Sequence, residues 1–156
     1  MPPPRPISKA DLAAAGLSDL ASPFIVFDGI CHLCTGFVRF VIRWDRAALF
    51  QFLPAQSPRG EALYARLGLK SGALENQDWD SNLLVLDGRV YTELDAFVEI
   101  ARRFGGLWRL MPILYAIPRP LRDWLYNRLA RNRYRWFGKR DVCYLPTPDL
   151  APRFLN

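Results

Sequence analysis

The chain has 156 residues, 51% of them apolar and 13% aromatic, which excludes a largely disordered polymer and fits one domain of ordinary size with an appendage. Three cysteines are too few for a disulfide scaffold, and no apolar run approaches the roughly 20 residues of a spanning helix. The net charge of +6 is uneven: residues 1–100 carry nine basic and twelve acidic side chains, residues 101–156 twelve and three.

Residues 1–22 read as an N-terminal arm. Prolines 2, 3, 4 and 6 favour an extended start, and a short helix from Asp11 ends near Gly16. The arm lacks the apolar core of a signal peptide, so a reducing cytoplasm is the expected compartment. Phe24-Ile25-Val26-Phe27 is an unbroken apolar run, which predicts a strand covered on both faces. A helix is expected from Cys31 to Trp44, with Leu33, Phe37, Phe40, Val41 and Trp44 at helical spacing. Ala48–Leu53 is a second strand. Ser57-Pro58 then opens a helix that ends near Gly68. Residues 70–80 are polar and loop-like.

Leu83–Leu86 is a third strand, and Asp87-Gly88 turns it into a fourth at Val90-Tyr91. Thr92 and Asp95 have the spacing of a capping box for a helix that stops at Gly105-Gly106. Two parallel crossover units followed by an antiparallel pair and a helix define a βαβαββα core over residues 23–106. Residues 107–156 read as an appendage packed on the core: two helices broken at Pro118-Arg119-Pro120, then a proline-rich tail. Leu121, Trp124, Leu125 and Leu129 form an apolar stripe expected to be buried, together with Trp108.

The chemistry is concentrated in Asp28-Gly29-Ile30-Cys31-His32-Leu33-Cys34. A buried strand runs into a tight turn, and Cys31 opens a helix with Cys34 one turn on. Unpaired N–H groups and the partial positive charge of a helix N-terminus stabilise a thiolate. Cys31 is therefore the expected nucleophile, accessible and alkylated first, and Cys34 the resolving thiol. Asp28 is either a turn residue or the proton acceptor for Cys34; its charge also opposes the thiolate of Cys31. His32, the sole histidine, favours the thiolate if protonated, or is simply solvated. A zinc site would need four ligands, with only His32 and Cys143 left to complete it. Cys143 stands alone, as a small apolar residue or a third redox thiol.

The Asp28-x-x-Cys31-x-x-Cys34 signature resembles that of the DCC family of predicted thiol-disulfide oxidoreductases. The similarity extends through Leu83 to Tyr91, Asp95-Ala96-Phe97 and Arg131 to Gly138, and covers residues 24–145. The resemblance implies a thioredoxin-like fold of glutaredoxin size within an α/β class, carrying a C-terminal helical extension. Thioredoxin-like enzymes usually place a cis-proline just before the third core strand. Here that stretch is Trp79-Asp80-Ser81-Asn82, so Ser81 or Asn82 takes its place as a modulator of the site.

The expected function is dithiol-disulfide exchange on a protein or small-molecule disulfide or thiol, with no metal or organic cofactor. Between Arg102 and Arg140, eleven basic residues are interleaved with aromatics and one acid, Asp123. This composition opens an alternative: a non-catalytic thioredoxin-like module whose extension docks on an anionic membrane surface. Nucleic acid ranks behind the membrane, because no recognised binding module is present.

Overall fold

Phe24–Phe27 (β2) lies inside the sheet because it has nothing polar to show to water: all four side chains are buried. The computed structural model describes residues 4–18, 23–69, 82–139 and 146–155. β2 pairs in parallel with Gln51–Pro54 (β3) and antiparallel with Leu83–Leu86 (β4). β4 turns through Asp87-Gly88 into Arg89–Thr92 (β5). Both turn residues have positive φ, 50° and 70°, the conformation that two-residue hairpin turns require. Arg5–Pro6 (β1) adds antiparallel to β5, so the described strands run in the order β1-β5-β4-β2-β3.

Alternation across β2 divides the core in two. Phe24 and Val26 join Leu53, Leu83 and Val85 beneath Lys9–Ala14 (α1) and Pro58–Leu67 (α3). Ile25 and Phe27 join Phe52 and Leu84 beneath His32–Trp44 (α2) and Glu93–Arg103 (α4). A mixed sheet between two helical layers, with this strand order, is the thioredoxin-like fold expected from the sequence, except that only the first crossover, β2-α2-β3, is parallel: β4 returns antiparallel to β2.

α3 is capped as expected: the Ser57 hydroxyl accepts from the Gly60 N–H, Pro58 stands at the first position, and Gly68 ends the helix at φ 64°. Gly60 is also a packing requirement, since a Cβ there would lie 2.4 Å from the Pro54 carbonyl oxygen. The capping box at Thr92 does not form. Glu93, the first helical residue, has φ 57°, and this left-handed entry takes the first N–H groups out of line with the Thr92 hydroxyl.

The N-terminal segment is not a loose arm. β1 hydrogen-bonds to β5, and Ile7, Ala15 and Leu17 are buried in the first core cluster. Three apolar side chains secure the described part of the N-terminal arm, residues 4–18, to the core. At the other flank, Phe154 bridges in parallel to Phe52 and the Leu155 N–H donates to the Phe52 carbonyl, 2.7 Å.

The extension begins as a 3-10 helix, Gly106–Ala116, rather than an α-helix. It contains Pro112, which cannot donate a backbone hydrogen bond. Trp108 anchors it edge-on to Phe40 and Trp44, with ring centroids 5.2 and 5.1 Å apart. Arg119–Phe137 (α5) follows. Its expected apolar stripe is turned outward: Leu121, Trp124 and Leu125 are exposed, Trp124 by 60%. The inward stripe is instead Arg122, Tyr126, Leu129 and Arg133, and the two arginines at its ends are buried. Arg122 lies over the Tyr115 ring, and Arg133 approaches the buried Asp28. Acidic and aromatic partners beneath the helix offset the cost of burying guanidinium groups, which a hydrophobic stripe on the helix alone could not reveal.

Candidate active site

The parallel pairing of β2 and β3 brings two loops together at the carboxyl ends of these strands: residues 28–31 before α2 and residues 55–57 before α3. Cys31 is the N-cap of α2, with extended backbone (φ −82°, ψ 122°), and its sulfur accepts the Cys34 N–H at 3.4 Å. An N-cap acceptor satisfies an otherwise orphaned helix donor; here the acceptor is a sulfur. The Cys34 side chain, one turn along, also hydrogen-bonds to Cys31.

These contacts separate the two thiols. The Cys34 side-chain hydrogen bond, against the opposing effect of burial, lowers the Cys31 pKa from an ordinary 9.0 to about 7, with the Cys34 N–H helping. The nearby Asp28 charge works in the other direction and Arg133 in the same one. Cys34 is driven far upward, because it donates to Cys31, is buried, and faces two negative charges. Cys31 is thereby poised to ionise around neutrality while its neighbour keeps its proton.

Asp28 is buried directly beneath the pair and fully engaged. Its Oδ1 accepts from the Ile30 N–H at 3.1 Å and from Gln56 Nε2 at 2.7 Å. Its Oδ2 accepts from the Tyr134 hydroxyl, with Arg133 Nη2 at 3.9 Å. Gln56 Oε1 in turn accepts from the Gly29 N–H at 3.0 Å. The Asx turn expected of Asp-Gly is therefore present, and so is a charged group within reach of both thiols.

Access to the pair differs from expectation. Cys31 is fully buried and Cys34 nearly so. Lys139 forms a backbone bridge with Cys31, and Tyr134 and Arg133 press on Asp28 from α5. The end of α5 and the residues just after it thus pack beside the loop that carries Cys31, which is buried rather than presented to solvent. His32 is exposed beside Gly138, where an added Cβ would come within 3.5 Å of its ring. Asn82 faces a cavity shared with Cys34, and its Oδ1 is buried with no hydrogen-bond partner among the described residues. Ser81 and Cys143 lie outside the described residues.

Sequence reasoning passed over Gln56, Arg133 and Tyr134. Arg133 and Tyr134 stand in the Arg131–Gly138 segment that carried part of the resemblance, but nothing local assigns them a role. Gln56 follows a strand parallel to β2, so topology alone places it at the same end of the sheet. Among the described residues, Asp28, Cys31 and Cys34 are the set whose donor atoms could meet a metal ion, all within 4.8 Å of one another. The fit is poor: both Asp28 oxygens already accept hydrogen bonds, and a dication there would face the Arg133 guanidinium.

The DCC1-like thiol-disulfide oxidoreductase family matches residues 25–139, a span that holds the cysteine pair, Asp28, Gln56 and the covering end of α5. The chain belongs to this family. It is 41% identical over 131 residues to the uncharacterized protein YuxK of Bacillus subtilis (strain 168), covering 84% of this chain and 92% of that protein. It is 36% identical over 124 residues to the chloroplastic DCC family protein At1g52590 of Arabidopsis thaliana, covering 79% and 69%. No solved structure matches the chain.

Proposed function

We propose that the chain catalyses dithiol-disulfide exchange with Cys31 as the attacking thiolate and Cys34 as the resolving thiol. The observation that carries this reading is the Cys34 N–H and thiol converging on Cys31, which leaves one sulfur poised to ionise near pH 7 and the other protonated. The Cys31 thiolate attacks a substrate disulfide and expels one substrate thiolate. Cys34 then loses its proton to Asp28, attacks Cys31 Sγ in the mixed disulfide and releases the second substrate thiolate. The substrate disulfide is reduced to two thiols, and the protein pair is oxidised to a disulfide. The burial of Cys31 adds a gating step, in which the Arg133–Lys139 segment moves aside before a bulky disulfide can enter. A cytoplasmic setting, which keeps the pair reduced between turnovers, accompanies the reading. Redox titration with mass mapping tests it: a reversible two-electron couple confined to Cys31 and Cys34 is expected, and its absence rejects an enzymatic role.

A second reading concerns the extension. Nine large apolar or aromatic side chains between Leu107 and Phe137 are exposed, with Leu107 at 79% and Ile113 at 70%. Soluble proteins rarely leave such a collection in water, and arginines are interleaved with it. The combination suits the headgroup region of an anionic bilayer, where apolar side chains sink and arginines meet phosphates. The aliphatic members have no counterpart in nucleic-acid binding. No helix among the described residues is long and apolar enough to cross a membrane, so this is docking on a surface. Co-sedimentation with phosphatidylglycerol vesicles at low salt should retain the protein, and Leu107→Glu with Ile113→Glu should release it. Equal recovery with and without vesicles rejects membrane docking.

A further inference from the structure

A cavity of about 330 Å³ opens between α5 and the α2–α4 layer. Its wall is mostly apolar, with Leu33, Phe37, Leu94, Phe97, Ile100 and Leu129 among its lining; Cys34, Asn82, Glu93 and Arg133 also line it. We propose that this cavity is the binding site for a small aliphatic thiol, which delivers electrons to the oxidised protein by attacking Cys34. The proposal rests on the exchange function above and names the chemical class of one of its two substrates.

Three observations converge on this ligand. The volume lies at the lower end of ligand pockets, about 300–1,000 Å³, which suits a small molecule rather than a peptide. The lining offers burial to hydrocarbon and little to polar groups. The reactive end has a sulfur in the wall, with Asn82 Oδ1 as a buried acceptor without a partner among the described residues, suited to an incoming S–H. Cys31 does not line this cavity, so Cys34 is the sulfur a ligand within it can reach.

In the oxidised protein the ligand thiol releases its proton to solvent, and its thiolate attacks Cys34 Sγ. The Cys31–Cys34 bond breaks and its electron pair stays on Cys31. The position of Cys31 at the helix N-terminus makes it the better leaving group, since a low-pKa thiol departs faster. A second thiol, from the same molecule or another, then attacks the ligand sulfur of the mixed disulfide, and its proton passes to the departing Cys34. Two ligand thiols become one disulfide; Cys34 is left as a thiol and Cys31 as a thiolate, the first ligand proton having gone to solvent.

A homologous series tests the proposal. The n-alkanethiols from ethyl to hexyl differ in length and hardly in acidity. With the oxidised full chain, the rate of reduction is expected to rise up to about fourfold per added methylene and to level off when the cavity is full. Acid-quenched mass mapping is expected to find the alkyl adduct on Cys34. Ala130→Phe, which fills the cavity from α5, is expected to flatten the series. Rates independent of chain length in the wild-type protein, or an adduct on Cys31, overturn the proposal. If the variant fails to fold, the wild-type series and the adduct position still decide. Reduction of the wild-type disulfide by a water-soluble phosphine reports separately whether the couple exists, so loss of the exchange reading is distinguishable from loss of this one.

Discussion

Tyr134 donates its hydroxyl proton to Asp28 across 106 residues of sequence, and this contact closes the end of α5 over the cysteine pair. The acceptor is a buried carboxylate, so the bond belongs to the stronger, charge-assisted kind.

Tyr134→Phe should therefore loosen the cover without removing its ring. Losing a hydrogen bond to a buried charged group costs about 1–3 kcal/mol, which translates into opening more often by roughly 5- to 150-fold. Iodoacetamide should modify Cys31 faster by about that factor while Cys34 stays slow. An unchanged Cys31 rate would show that the cover does not control entry.

The lowered pKa of Cys31 makes its chemistry and its stability depend on pH. Alkylation of Cys31, followed by mass spectrometry, should titrate with a midpoint near 7. The folded-state pKa lies below that of the unfolded thiol, so the reduced protein should gain stability as pH rises through about 7 toward 9 and lose that gain on acidification. The oxidised protein has no ionising thiol pair and should lack this component. Parallel slopes for the two redox forms in denaturant melts at pH 6 to 9 would contradict the assignment.

Asp28→Asn separates two opposed roles. Removing the charge eliminates a repulsion that raises the Cys31 pKa, so the alkylation midpoint should fall. The same change removes the proton acceptor proposed for Cys34, so mixed disulfides at Cys31 should persist longer before resolution. It also removes the negative charge 3.9 Å from the Arg133 guanidinium, so the variant should melt at a lower temperature. Trapped-intermediate mass spectrometry and thermal melts read the three effects independently.

Gly60→Ala tests the fold rather than the thiols. The new Cβ would meet the Pro54 and Ala55 carbonyl oxygens at 2.4 and 2.8 Å, and both belong to backbone. Overpacking of this kind costs about 1–3 kcal/mol, despite the better helix propensity of alanine. A variant as stable as the parent in urea would show that α3 can shift away from β3.

Much of the core was legible because local chemistry and fold agree there. The apolar run Phe24–Phe27, the Ser57-Pro58 cap, Gly68 and the Asp87-Gly88 turn each have one low-energy solution, and the sheet follows from them. The cysteine pair was legible for the same reason, since a strand, a tight turn and a helix start are consecutive in sequence. What was not legible depends on distant partners. The burial of Arg122 and Arg133 in place of Leu121 and Trp124 is decided by Tyr115, across the break at Pro118, and by Asp28, about 90 residues before α5. The cover on Cys31 and the part played by Gln56 likewise arise where separate segments meet. The missing cap at Thr92 came from the backbone of Glu93, whose positive φ no residue type announces.

Both flanks of the sheet are occupied by fragments, the two residues of β1 beside β5 and the single bridge of Phe154 beside β3. A longer outer strand would present a row of unpaired N–H and C=O groups and recruit strands from other molecules. Pieces this short protect the sheet yet are themselves weak templates. Protection of the two sheet edges thus falls to Arg5-Pro6 and Phe154-Leu155. Trimming either segment would bare a neighbouring strand and favour edge-to-edge assembly.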